Sequence, residues 1–436
     1  MEWYWTLGLL LTIFIGLLVF GIPVALSFLA TNTLGWLVVS KWDPLALLQI
    51  VDNISSMVSR FTLGPIPLFI LMGSIFFNTN LATRVFNTID ILLGRLPGRL
   101  SFLTLFGGTS FSTLIGSSIA NTAMLGTLML PEMRKRGYNK QMSLGPILGT
   151  GGLAIIIPPS AMAVLLASIA DIDVGAFLIA GIIPGFVLAT LYMLMIALQI
   201  YINPDSAPSY NVERIGLTYK IKLVLVNILP MFILIFSIIG VIITGIATPT
   251  ESAAIGVLTT VILAICYNNF SFTRLQSGLS NSAKVSGAIF FILMNSAVFS
   301  QLLSFSGASK GLMTFALGFD LGPYTILILM IVLLLVIGMF MDSSSIMLVS
   351  IPIMFPIAQA IGIDLLLFAM IMLITIEMAG ITPPFGVVLY TLMGTVKDVQ
   401  LGELVKAASP FLLCDFVLIV LLIVFPGLAL WLPSLI

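Results

Sequence analysis

Two short segments hold the residues best able to do chemistry in this chain, Gly116-Ser117-Ser118-Ile119-Ala120-Asn121-Thr122 and Asp342-Ser343-Ser344-Ser345. Each is followed by a proline pair: Gly151-Gly152 and Ile157-Pro158-Pro159-Ser160 in the first case, Gly380-Ile381-Thr382-Pro383-Pro384 in the second. Proline has no amide hydrogen and so frees the carbonyl that would have received it, while nearby Ser, Thr and Asn side chains add neutral oxygens. Such oxygens suit a hard monovalent cation, and the second segment brings the Asp342 carboxylate within reach. Half-helix ends at breaks of this kind can also direct positive dipole ends at an anion.

A single Ser/Gly patch is more often a helix-packing surface than a ligand site, and a proline pair is more often a simple kink. Duplication reverses that balance here. Pro131 and Pro356, Gly137 and Gly362, Pro158 and Pro383, and Asp173 and Asp398 are all offset by the same 225 residues (356 − 131 = 225; 398 − 173 = 225). Apolar segments broken at corresponding positions of two halves mark the binding site of a secondary transporter.

The composition sets the solvent. Of 436 residues 60% are hydrophobic and 8% charged, and the mean hydropathy is +1.22, more apolar content than a soluble core can bury. The expected fold is an all-α polytopic membrane protein. Seventeen basic and seventeen acidic residues give zero net charge, and no basic cluster interleaved with aromatics points to nucleic acid. The chain has no histidine and no paired aspartate motif, which argues against an intramembrane enzyme or a transition-metal site. Cys266 and Cys414 both lie in apolar stretches and read as small core residues rather than a disulfide.

The elements that must position the two segments follow from apolar runs of membrane-crossing length. The first, Thr6 to Leu29, is too long for a signal-peptide core and reads as a retained helix, followed by Thr31 to Val51, Thr62 to Asn78 and Gly175 to Tyr201. The second half has Ile221 to Thr244, Thr248 to Cys266, Val285 to Ser304 and Ala407 to Leu432. Stretches at about 100–131 and 321–356 are interrupted by Gly and Ser and read as re-entrant helical hairpins; 141–170 and 365–395 read as Pro-Pro-broken helices. In this layout Lys41, Arg60 and Lys310 lie on one side and the other fourteen basic residues (17 − 3 = 14) on the other, which is then the cytoplasm, with both termini periplasmic. The loop after the first hairpin reads E-M-R-K-R-G-Y-N-K and its counterpart I-A-Q-A-I-G-I-D, so corresponding loops differ in basic content and the repeat is expected to be inverted. The first repeat spans 1–202, a cytoplasmic linker 203–222, and the second repeat 223–436.

Charged residues within apolar segments are functional candidates by default, here Glu251, Asp342, Glu377 and Asp415. Glu251 follows Thr248-Pro249-Thr250 and has an equal claim to be an N-terminal helix charge. Asp415 reads as a residue near a helix end that snorkels to the cytoplasm, Glu377 as a buried polar partner for the second break, and Arg95-Leu96-Pro97-Gly98-Arg99 as the solvated end of an interfacial amphipathic arm.

At these residues the chain resembles the large membrane subunit of the tripartite ATP-independent periplasmic (TRAP) transporters. The likeness rests on G-S-S-I-A-N-T-A-M-L-G, L-P-E-M-R-K-R-G-Y, I-I-P-P-S, I-A-G-I-I-P-G, A-T-P-T-E-S-A-A and I-T-P-P-F-G in that order, and it covers essentially the whole chain. The family pattern often has Asp where this chain has Asn121. The resemblance implies an elevator-type importer of a small organic anion (a carboxylate, sugar acid, keto acid or sulfonate) in a bacterial inner membrane, with sodium as coupling ion and no other cofactor. It further implies a small four-helix membrane subunit and a periplasmic substrate-binding protein as partners. A stand-alone sodium/dicarboxylate symporter of the same superfamily is the alternative. On this reading one sodium site comprises Ser117, Ser118, Asn121, Gly152 and Pro158, and the other Asp342, Ser344, Ser345, Gly380 and Thr382. The organic anion is expected against Ser118, Asn121, Pro159, Ser160, Ser345 and Pro384.

Overall fold

Backbone groups in a bilayer must bond within their own segment, so apolar runs of this length become helices. In the computed structural model, residues 2–79, 81–94, 96–115, 117–208, 216–319, 321–396 and 398–435 are described, with backbone only at 81–83 and 111–115. Gly116 of the first segment and the basic residues Arg95, Arg214 and Lys397 lie outside the described residues.

The first half holds α1 (Trp3–Val19), α2 (Val24–Val39), α3 (Leu48–Val58), α4 (Pro65–Asn78), α5 (Leu81–Leu93), α6 (Arg99–Ile115), α7 (Ser118–Lys135), α8 (Lys140–Ile156), α9 (Ala161–Ala170), α10 (Val174–Ala180) and α11 (Ile182–Ile202). The second holds α12 (Leu217–Leu223), α13 (Leu229–Ile243), α14 (Pro249–Cys266), α15 (Phe272–Phe305), α16 (Ala308–Leu317), α17 (Pro323–Gly338), α18 (Ser343–Ala360), α19 (Leu365–Gly380), α20 (Val387–Thr395), α21 (Leu401–Val424) and α22 (Gly427–Leu430). Among the described residues seven helical stretches are long and apolar enough to cross a membrane, eight if the bent pair α8 and α9 counts as one.

Helix ends recur at the sequence offset. Ser117 caps α7 and Asp342 caps α18 (342 − 117 = 225); Asn139 caps α8 and Asp364 caps α19 (364 − 139 = 225). Gly137 and Gly362 precede those caps with φ of +79° and +75°, a left-handed turn that glycine adopts without a Cβ penalty. Pro158-Pro159 and Pro383-Pro384 both have cis peptide bonds. The block α6 to α9 is thus matched, helix for helix, by α17 to α20.

The centre is formed by α8 and α19. Fourteen of the 17 residues of α8 and fourteen of the 16 of α19 are buried, whereas the apolar windows of α12–α13 and of α14 are each only 28% buried. The pair α6 and α7 packs on α8, the pair α17 and α18 on α19, and α8 contacts α19, α11 and α21. A Cβ at Gly145 would lie 2.6 Å from Phe411 and 2.9 Å from the Ala407 carbonyl oxygen, so the absence of a side chain there lets α8 and α21 close. Helix α4 lies against α14 and α15. The two cysteines are free; Cys414 is buried as a core residue, but Cys266 is exposed on α14 and is not one.

Three further local expectations are corrected. The run Thr6 to Leu29 is not one helix: Gly21 turns left-handed (φ +79°) and Pro23 sits at the N-cap of α2, so the chain breaks between α1 and α2. Counting apolar residues hid a break that involves no polar side chain. The run Thr31 to Val51 likewise divides between α2 and α3 at Lys41 and Trp42, both with positive φ. Arg99 is not solvated. Its side chain is 5% exposed, pairs with Asp90 at 2.7 Å and donates to the Gly94 carbonyl at 3.0 Å, because α5 folds back on α6 and brings Asp90 to it.

Candidate functional site

Glu377, one turn before the second break, joins the two halves. Its Oε1 accepts a hydrogen bond from Ser118 Oγ (3.2 Å) at the start of α7 and another from Ser343 Oγ (3.4 Å) at the start of α18. These serines occupy equivalent positions in the repeat (343 − 118 = 225), yet they converge on one carboxylate. Gly151 allows the approach: a Cβ there would lie 3.2 Å from Ser118 Cβ and 3.8 Å from Glu377 Oε2. Its neighbour Gly152 faces a second buried carboxylate, with its would-be Cβ 3.4 Å from the Tyr192 hydroxyl and 3.9 Å from Asp415 Oδ1. Tyr192 donates to Asp415 at 2.6 Å. Asp415 therefore does not snorkel. It lies midway along α21, 3% exposed, because Tyr192 of α11 reaches it with a hydroxyl donor that the sequence could not place.

Asp342 takes a different position. It is the N-cap of α18 and accepts from the Ser344 and Ser345 amides (3.1 and 3.3 Å) and from the Ser345 hydroxyl. Ser344 Oγ faces Met162 Sδ at 3.8 Å, which brings the tip of α18 onto α9 just beyond the first proline pair. Among the described residues none of the ion pairs involves Asp342, Glu377 or Asp415. Glu251 forms a capping box with Thr248 at the start of α14, the work of an N-terminal helix charge.

A cavity of about 720 Å³ lies against both tips. Its lining includes Ser117, Ser118, Asp342, Ser343 and Ser344 and residues of α4 and α15. The remaining candidates lie elsewhere. Asn121 is fully buried and turned toward Thr150 (3.5 Å), with its Oδ1 unpartnered among the described residues. Ser160 caps α9 by accepting from Ala163 at 3.2 Å, while Pro158 and Pro159 form the break between α8 and α9. Ser345 is buried under Asp342. Gly380 and Thr382 lie in a tight turn: a Cβ on Gly386 would come 2.6 Å from the Gly380 carbonyl oxygen and 2.9 Å from that of Thr382, and Thr382 donates to the Met378 carbonyl at 2.5 Å. Pro384 is exposed, its carbonyl accepting from Tyr390 at 3.2 Å. Sequence reasoning placed Ser343 in the second segment but not among the site residues, and it passed over Tyr192. The 225-residue offset from Ser118 could have found the first, while nothing along the chain links Tyr192 to Asp415.

The arrangement is a set of neutral oxygens around buried carboxylates that have no basic partner among the described residues, beside a cavity lined by both halves, in a chain whose helices are largely apolar. The family model described as "Tripartite ATP-independent periplasmic transporter, DctM component" matches residues 11–428. The C4-dicarboxylate TRAP transporter large permease protein DctM of Pseudomonas aeruginosa is 28% identical over 401 residues, 92% of this chain and 92% of that protein. The sialic acid TRAP transporter large permease protein SiaM of Vibrio cholerae is 27% identical over 424 residues, 97% of each. Among solved structures the YdaH transporter of Alcanivorax borkumensis has a TM-score of 0.62 at 12% identity, covering 94% of this chain and 97% of that one, a likeness of fold alone. The chain is a transmembrane helical protein and belongs to the DctM component family of the tripartite ATP-independent periplasmic transporters, the large permeases of those systems.

Proposed function

We propose that this large permease imports a small organic anion across a bacterial inner membrane, driven by sodium entering with it and moved by an elevator motion. The observation that carries the reading is the convergence of Ser118 and Ser343 on Glu377, a 5% exposed carboxylate that no basic side chain compensates among the described residues. An unpaired charge at membrane depth costs several kcal/mol, so a cation held by these oxygens would stabilise the tips and couple its own passage to their closure. Asp342 supplies the second carboxylate, and the oxygens of Ser117, Ser118, Asp342 and Ser344 face the cavity in which cargo would sit. Relatives named for C4-dicarboxylates and for sialic acid support a carboxylate cargo. The remaining sodium-site candidates (Asn121, Gly152, Pro158, Ser345, Gly380 and Thr382) would act as supports of the two tips.

In this reading residues 1–202 and 223–436 are inverted repeats joined by 203–222, with both termini periplasmic. The blocks α6–α9 and α17–α20 move together as the carrier, and α1, α2, α13 and α14, with α15 beside the cavity, remain fixed against a small four-helix subunit. A periplasmic binding protein delivers the anion. The test is uptake of labelled succinate and sialic acid by vesicles holding the complete three-part system. Uptake is expected to require an inward sodium gradient and to stop when disulfides lock α7 or α18 to α15, returning on reduction. Equal uptake in sodium-free potassium buffer would sink the sodium reading, and uptake unaffected by the crosslinks would exclude the elevator.

A further inference from the structure

The cavity beside the two tips has one basic side chain among its described lining residues, Lys284 of α15. Helix α15 has 34 residues, about 51 Å at 1.5 Å per residue, and so outreaches a hydrocarbon core of about 30 Å. Lys284 stands directly before its apolar stretch, at the edge where an ammonium group stays hydrated while its stem borders the interior. One face of α15 forms the cavity wall. Asn281, Lys284, Val285, Ala288, Ile289 and Ile292 follow one another at the three- and four-residue spacing of a single helical stripe, and all six line the cavity.

The surrounding stripe is anchored. Asn281 donates to Ser74 Oγ at 3.1 Å and Ser282 to the Pro67 carbonyl at 3.2 Å, which fixes α15 on α4. Lys284 itself is exposed and takes part in none of the ion pairs among the described residues. Among the described lining residues the acidic side chain is Asp342, whose oxygens are already engaged by the amides of its own helix and by Ser345. Arg60 presents a contrast: it borders a separate cavity of about 300 Å³ and is paired with Asp171 at 3.3 Å.

We infer that Lys284 is the positioning residue for the cargo's carboxylate, an ammonium group on the α15 wall that holds the anion opposite the serine tips. This deepens the function proposed above and rests on an anionic cargo, but its first test requires neither sodium nor a known substrate. In a background with Cys266 and Cys414 replaced by Ser, Ala288→Cys places a thiol one helical turn from Lys284 on the same face. Its rates of modification by a sulfonate-bearing methanethiosulfonate and by the trimethylammonium analogue measure the local potential. Lys284→Gln is expected to lower the anion-to-cation rate ratio about ten-fold, the size of effect one nearby charge exerts in a wet site, and Lys284→Arg to keep it. An unchanged ratio in Lys284→Gln overturns the assignment. In the complete system, for whichever of succinate and sialic acid the wild type carries, Lys284→Gln is expected to raise KM at least ten-fold with restoration by Lys284→Arg. A lowered thiol ratio with unaltered KM overturns the positioning role, whereas sodium-independent uptake with a lowered ratio sinks the coupling mechanism and leaves Lys284 standing.

Discussion

The two breaks have the same helix ends and different charges. At the first, Ser117 caps α7 with a neutral hydroxyl; at the equivalent position of the second, Asp342 caps α18 with a carboxylate. Position 377 carries Glu, whereas its equivalent in the first half (377 − 225 = 152) is Gly152. The first break thus has no carboxylate of its own in these places and takes that of the second half through Ser118. Positions equivalent by the 225-residue offset thus differ in charge. Because both serines donate to the same oxygen, any shift of Glu377 alters both hydrogen bonds at once.

The largest effect is expected at that shared group. Glu377→Gln keeps the volume and an acceptor but removes the charge, and sodium-driven uptake in the reconstituted three-part system should fall at least about a hundred-fold while the protein still inserts and purifies intact. Wild-type uptake would show that the carboxylate serves packing alone. Asp342→Asn comes next, with a loss of about ten-fold or more. Asn caps a helix nearly as well as Asp, so α18 should persist, and gel-filtration behaviour like the wild type with weakened sodium dependence would separate charge from folding.

The serines sharpen the comparison further. Ser118→Ala and Ser343→Ala should each raise the sodium concentration for half-maximal uptake a few-fold. Because both donate to Glu377 Oε1, the double variant should depart from the product of the single effects. Strict multiplicativity would mean that the two tips work independently. The smallest effect on transport is expected at the companion carboxylate: Tyr192→Phe leaves Asp415 buried without its donor, a loss of about 1–3 kcal/mol that should lower the thermal midpoint in detergent. A sodium dependence altered as strongly as in Glu377→Gln would instead place Asp415 in the coupling machinery.

The serine tips, the proline pairs and their common offset were all legible in the chain, because a break in a membrane helix needs residue types that leave their mark: proline without a donor, glycine without a Cβ, hydroxyls for the freed groups. The break at Gly21 and Pro23 was also written there and was masked by the apolar residues around it. Arg99 and Asp415 were misjudged for another reason. A charged residue's neighbour along the sequence says little about the neighbour across a helix interface, and the donors or acceptors that keep these two inside come from Asp90 and Tyr192.

By itself the sequence determined the solvent, the helical class and the duplicated positions of the breaks, since these depend on residue type and local spacing. Only the tertiary structure decided that Ser118 and Ser343 meet on Glu377, that Gly151 and Gly152 separate two buried carboxylates, and that Lys284 lines the cavity beside the tips. Ser118 and Glu377 lie 259 residues apart, and Tyr192 and Asp415 223, so their meeting depends on how α7 and α19 both pack on α8 and how α11 packs on α21 rather than on any local preference of the chain.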